Sequence, residues 1–383
     1  MDVNALLKDA VAQGASDIHI KVGSHPILRI HGNLVPFASA PKLTHEDVVK
    51  TAFAVMTPAQ GEVFKKKNDI DFAYSIPGLG RFRCNAFVQR GSVGVVFRAI
   101  SMKIPGIEEL NLPVVLKKLA GEERGLVLVT GTTGSGKSTT LAAMIDLINS
   151  SRTVNIVTIE DPVEYLHKDK KGIVNQREVG TDTESFAKAL RAALRQDPDV
   201  ILVGEMRDFE TIQTAMSAAE TGHLVFSTLH TLDASETINR IISVFPPYQH
   251  KQVRMQLSSI LKGIISQRLV PRADGKGRVP AVEVLIATAM IRDCIIEPDK
   301  TKMIPDAVAQ GKVHYGMQTF DQSLFDLLNS GMITYEEALR WATNPDDFKL
   351  KVRGIRSTSD LTTESDKVPG GFSAMPGIDR FSK

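Results

Sequence analysis

Gly131-Thr132-Thr133-Gly134-Ser135-Gly136-Lys137-Ser138 matches the pattern G-x-x-x-x-G-K-[ST], and its flanks decide what the match means. Before it, Leu126 to Thr130 is a short apolar run of the kind buried in a parallel sheet; after it, Thr139 to Ile148 has helical periodicity. Strand, glycine loop and helix in that order make a phosphate cradle. Glycines let successive backbone N–H groups curl around phosphate oxygens, and the helix N-terminus adds positive dipole. Thr133, Gly134, Ser135, Gly136, Lys137, Ser138 and Thr139 are therefore the expected nucleotide-binding residues. Lys137 reaches the β- and γ-phosphates of ATP, and Ser138 offers a hydroxyl to Mg2+.

Downstream, apolar runs alternate with amphipathic helices, as in a P-loop α/β fold. Asn155 to Ile159, Val200 to Val203 and Leu224 to Thr228 read as further buried strands, and Glu184 to Arg195 as a helix with Phe186, Leu190 and Leu194 on one face. Two strands end in acid. Val200 to Val203 runs into Gly204-Glu205, the Walker-B arrangement, which puts Glu205 beside Mg2+. Asn155 to Ile159 runs into Glu160-Asp161-Pro162-Val163-Glu164, and hydrolysis needs a carboxylate to orient or deprotonate the attacking water. Any one of these acids also suits turn chemistry. His223 and His230 bracket Leu224 to Thr228 without the neighbours of a metal site, so they are either γ-phosphate or subunit sensors or structural histidines.

Residues 1 to about 100 have a different grammar. Leu6, Leu7, Ala10 and Val11 recur at helical spacing, Asp17 to Val22 alternates, and Ile27 to Val35 breaks at His31-Gly32-Asn33 into two short strands. Thr44 to Met56 reads as a helix capped by Thr44, with Asp47 in the capping-box position. Asp71 to Ile76, Gly80 to Gln89 and Gly94 to Ile100 form a meander. Arg81 and Arg83 share a strand face and Arg98 lies on the next strand; each is either a solvated side chain or an arginine held against the transferring phosphoryl group. The predicted limits are an α+β domain at 1–103, a proline-bounded linker at 104–113, the ATPase domain at 114–353, and a polar, mobile tail at 354–383.

Bulk properties narrow the field. A chain of 383 residues exceeds one core, and 43% apolar with 23% charged residues is globular composition. A net charge of +2 gives no basis for a nucleic-acid or anionic-membrane partner. Cys84 and Cys294 alone form neither a disulfide framework nor a four-cysteine zinc site, which points to a reducing, cytoplasmic compartment. The N-terminus lacks a signal-peptide pattern and no apolar run is long enough for a membrane span, so membrane contact is expected only through a partner.

Four motifs in this order resemble the secretion ATPase superfamily: Gly131 to Thr139, Thr158-Ile159-Glu160-Asp161-Pro162-Val163-Glu164-Tyr165, Leu202 to Asp208, and Glu220-Thr221-Gly222-His223 through Thr228-Leu229-His230-Thr231. They look like its Walker A, Asp box, Walker B and His box. Ala12 to His19 and Gly316 to Leu324 are similar to the type IV pilus retraction ATPases, the twitching-motility motors. The resemblance implies a PAS-like α+β domain before a RecA-like ATPase domain and a homo-hexameric ring at the cytoplasmic face of the inner membrane. It also implies a pilus platform protein as partner, with a second retraction ATPase as a further one. It carries the catalytic glutamate onto Glu164 first and Glu160 second, the Walker-B glutamate onto Glu205, and arginine fingers onto Arg83 and Arg98, then Arg81. Ala289 to Glu297 matches a retraction motif only in part: Met290 is inserted and Ile296 replaces an arginine, leaving Arg292 as the contact that fits. Extension and type II secretion ATPases typically add a long N-terminal region and a four-cysteine zinc element, and this chain shows neither. An accessory retraction paralogue, an extension or type II ATPase, and a nucleotide-gated regulatory module without useful turnover stay open as alternatives.

Overall fold

The computed structural model describes residues 2–30, 32–100 and 103–354. The expected mobile tail therefore lies, but for Gly354, outside the described residues. Helix α1 (Val3–Ala12) starts where the Asp2 carboxylate accepts the Asn4 and Ala5 amides. Strands β1 (Ala15–Lys21), β2 (Ile27–Ile30) and β3 (Asn33–Pro36) follow, then α2 (His45–Ala54) and α3 (Pro58–Lys67). The expected capping box is present at Thr44 and Asp47, and a second one, at Thr57 and Gln60, starts α3. β4 (Asp69–Ile76), β5 (Gly80–Gln89) and β6 (Ser92–Ala99) complete an antiparallel sheet of order β3-β2-β1-β6-β5-β4.

Strand alternation sorts this sheet into two faces. Ile18, Ile20, Phe82, Cys84, Val95 and Phe97 point into a core with Leu7 of α1 and Val48 of α2. Phe82 and Phe97 meet edge to face, and each buried ring contributes about 2–3 kcal/mol. The other face is charged. Register sets Arg29 opposite Asp17, Asp17 opposite Arg98, and Arg98 opposite Arg83, one row across four strands. Asp17 lies beneath it, 2.8 Å from Arg98 and 3.9 Å from Arg29. Burial pushes its carboxyl up, but the hydrogen bonds from Arg98 and Ser16 outweigh that and hold it below the usual carboxylate range.

After α4 (Val115–Ala120) the second sheet begins with β7 (Gly125–Thr130) and continues through β8 (Asn155–Glu160), β9 (Ile173–Glu178), β10 (Val200–Val203), β11 (Leu224–Leu229), β12 (Leu261–Pro271) and β13 (Arg278–Ile286). Its order is β13-β12-β7-β11-β10-β8-β9, parallel except where β12 meets β13. β7, β10 and β11 are buried along their whole length, which is why they read as unbroken apolar runs. Helices α5 (Lys137–Ser151), α6 (Phe186–Ala193), α7 (Phe209–Glu220), α8 (Ala234–Ser243), α9 (His250–Ile260) and α10 (Ala289–Ile296) cover it, with α4 and α5 on one face and α6 to α9 on the other. Ser185, Asp208 and Asp233 cap α6, α7 and α8.

One buried acid makes the fold sensitive to pH. Glu283 of β13 accepts the Ala234 N–H at 2.8 Å, and burial pushes its carboxyl up to about 7. In the unfolded chain it ionises at the ordinary 4.5, so its contribution is fully present below that value and is lost as pH rises through 7. The wild-type chain should lose on the order of 3 kcal/mol across that window, whereas Glu283→Gln should lose none of it. Unfolding midpoints below and above neutrality check this, and parallel pH trends for the two proteins would refute it.

Candidate active site

β7 ends at Thr130, α5 starts at Lys137, and the residues between them wrap into a loop that only glycines permit. Gly131, Gly134 and Gly136 have φ of 135°, 78° and 93°. A Cβ on Gly131 would sit 2.5 Å from the Gln267 carbonyl and 2.6 Å from Ser135 Oγ. Ser135 Oγ is itself buried without a hydrogen-bond partner among the described residues, an open donor inside the loop. Lys137 is 9% exposed, and its Nζ donates to the carbonyls of Gly131 at 2.9 Å and Thr132 at 3.0 Å. Burial lowers its ammonium pKa, while Glu164 and Glu205 pull it back up. The arrangement suits a polyanion, which would relieve both the buried cation and the orphaned hydroxyl.

The C-terminal ends of β8, β10 and β11 bring the acids to this loop. A cavity of about 300 Å3 is lined by Thr133, Gly134, Lys137 and Ser138 on one side and by Glu160, Glu164, Glu205 and His230 on the other. Glu160 is held by Thr158 Oγ1 at 2.7 Å and Gln176 Nε2 at 3.0 Å, and burial raises its carboxyl pKa against those bonds. Glu164, one turn of loop further on, is exposed, and its carboxylate accepts no hydrogen bond among the described residues. Glu205 pairs with Arg207 at 2.7 Å and lies 3.4 Å from His230 Nε2. Ser138 and Glu205 form an oxygen-only donor pair of the hard kind Mg2+ takes. Thr139 does not itself line the cavity; its hydroxyl meets that of Tyr165, a lining residue, at 2.9 Å.

Glu164 and Tyr165 also line a second cavity, of about 320 Å3, whose far wall carries Arg83 and Arg98. The two cavities thus share the Asp161 to Tyr165 loop as a partition. Arg81 lines neither; it crosses to the other sheet and pairs with Glu178 at 3.1 Å. His223 is also outside. It stands at the opposite end of β11 from His230, roughly 20 Å away, with Nδ1 2.9 Å from the Ala218 carbonyl. Arg292 is exposed on α10 and lines neither cavity.

Among the lining residues outside the expected set are Arg207, Tyr165 and His167. Tyr165 stood inside the second acidic motif, but nothing local marks its bond to Thr139. His167 lines the first cavity with Nδ1 buried and, among the described residues, unpartnered, and burial pushes its ring down to about 4, so it is neutral near pH 7. No spacing singles it out.

The model of the family described as Type II/IV secretion system protein matches residues 1–314. The chain belongs to that family. This secretion ATPase is 47% identical to the type IV pilus retractation ATPase PilT of Pseudomonas aeruginosa over 348 residues, covering 91% of this chain and 100% of that one. It is 45% identical to the type IV pilus ATPase PilU of the same organism over 361 residues, 94% of each chain. A crystal structure of the pilus retraction motor PilT with bound ADP aligns with a TM-score of 0.84 at 48% identity, covering 91% of this chain and 98% of that one. The expected class therefore holds: an N-terminal α+β domain precedes a P-loop ATPase domain of the secretion ATPase fold.

Proposed function

We propose that this secretion ATPase hydrolyses ATP to ADP and phosphate and uses the cycle to drive type IV pilus retraction. One observation carries the reading: Lys137, Ser138, Glu164 and Glu205 converge on a cavity whose loop wall is shared with Arg83 and Arg98. The loop amides and Lys137 hold the β- and γ-phosphates. Glu164 orients a water and takes its proton as the oxygen attacks the γ-phosphorus, and the bridging oxygen leaves with ADP. Arg83 and Arg98 stabilise charge on the transferring group. Glu205 and Ser138 would hold Mg2+, which would supply positive charge to the phosphate oxygens. His230 is the sensor beside Glu205.

The proposed domain limits are those read from the sequence, 1–103 and 114–353 about a linker at 104–113. A homo-hexameric ring at the cytoplasmic face of the inner membrane, working on a pilus platform protein, is the assembly we propose, with no nucleic-acid partner. Among the described residues no helix is long and apolar enough to cross a membrane. A second reading, an accessory retraction ATPase working beside another, is favoured by the longer stretch shared with PilU.

Deletion of the gene followed by imaging of pili tests the assignment. Surplus pili that no longer retract are the expected result. Bald cells would overturn it in favour of extension, and pili that still retract, but weakly, would favour the accessory reading.

A further inference from the structure

The Asp161 to Tyr165 loop is held from one side by a single edge strand. Gln176 and Glu178, two residues apart and so on one face of β9, both reach it. Gln176 Nε2 donates to the Tyr165 carbonyl at 2.9 Å and to Glu160 at 3.0 Å. Glu178 Oε2 accepts the Val163 N–H at 3.2 Å. Glu164 lies between these two anchors, and the Tyr165 hydroxyl ties the same loop to Thr139, next to Ser138 on the phosphate-binding helix.

Glu178 has another partner. The same Oε2 accepts from Arg81 Nη2 at 3.1 Å, and with its side chain 8% exposed this is a largely desolvated pair. Among the described residues it is the one ion pair that joins residues before 100 to residues after 120. Arg81 sits on β5 two residues from Arg83, on the same strand face. Its Nε is buried and has no partner among the described residues, so a second donor stands beside the one in use and a small shift of the carboxylate would make the pair two-pronged.

We propose that Glu178 is a positioning residue: it fixes the loop carrying Glu164 and, through Arg81, transmits the state of the phosphate site to the N-terminal domain and its Arg83. Arg81 then acts within its own chain as a coupling element, in place of the arginine-finger role read from the sequence. The inference rests on Glu164 acting as the base.

Glu178→Gln keeps the shape and an acceptor for Val163 but removes the charge that holds Arg81. ATP turnover should fall by up to about 100-fold at unchanged KM, the usual cost of a misplaced catalytic group. Spin labels on the two domains of the full chain should lose their nucleotide-dependent change in separation. Arg81→Met should do the same, Arg81→Lys should recover part of both, and the Glu178→Gln, Arg81→Met double variant should be no worse than either single. Native turnover with a native separation change in Glu178→Gln overturns the proposal, as does a rise in KM alone or additive losses in the double variant. Should Glu178→Gln unfold at lower temperature than wild type, Arg81→Met decides on the same criteria. Glu164→Gln separates the levels: full turnover there removes the base assignment, while the label separations still judge the coupling.

Discussion

Lys137→Ala should release phosphate at least about 100- to 1,000-fold more slowly than the wild-type chain and bind ATP more weakly. The side chain is buried at the mouth of a glycine loop, and its two present partners are the Gly131 and Thr132 carbonyls. Neutral carbonyls are a poor exchange for a triphosphate, so the binding energy of the ammonium is drawn on only when phosphate arrives and grows as charge builds on the transferring group. Burial lowers its pKa while Glu164 and Glu205 raise it, and an incoming polyanion adds to the second influence. Phosphate release together with fluorescent-nucleotide titration measures both effects. Unchanged affinity and turnover in Lys137→Ala would remove the basis of the proposed function.

Glu164→Gln should bind ATP as tightly as wild type and hydrolyse it about 100- to 10,000-fold more slowly, the range for losing a general base. Glu160 is the competing candidate, and its surroundings argue against it. Its carboxylate is already engaged by Thr158 and Gln176, and the residue is only partly exposed. Glu164 faces the cavity with open acceptor capacity, so a water can reach it. Glu160→Gln should therefore cost less in turnover than Glu164→Gln, and more in thermal stability. Single-turnover phosphate release in both variants decides; the reverse order of rates would hand the role to Glu160.

What could be read without coordinates was whatever physics keeps local. The phosphate loop announces itself because eight consecutive residues must supply both the glycine turns and the lysine. Thr44 and Asp47 were legible as a cap for the same reason, and β7, β10 and β11 because full burial leaves no polar position to blur the run. Helix α3 was overlooked although Thr57-Pro58-Ala59-Gln60 carries a start signal, since its lysine-rich end gives little apolar periodicity. β9 was overlooked for a different reason: as an edge strand its Asn175, Gln176 and Arg177 face partners other than a core. β12 follows α9 without a glycine or proline between Ile260 and Leu261, so no break marks the change of period. The site divided along the same line. The acids at strand ends were placed by their own neighbours, whereas Arg81 meets Glu178 across 97 residues and His223 sits at the far end of its strand. His223 precedes its strand, and the site gathers at the carboxyl ends of the strands, so its bracketing position already set it apart from His230.

The carboxylate under the arginine row has a consequence for the timing of catalysis. Because Asp17 already holds Arg98 at Nε when the protein folds, part of that long side chain's rotamer freedom is spent before any nucleotide arrives. An anion entering the second cavity then meets a guanidinium anchored at one nitrogen, and has less of it left to order. The row thus presents its cations already anchored to a carboxylate of their own sheet.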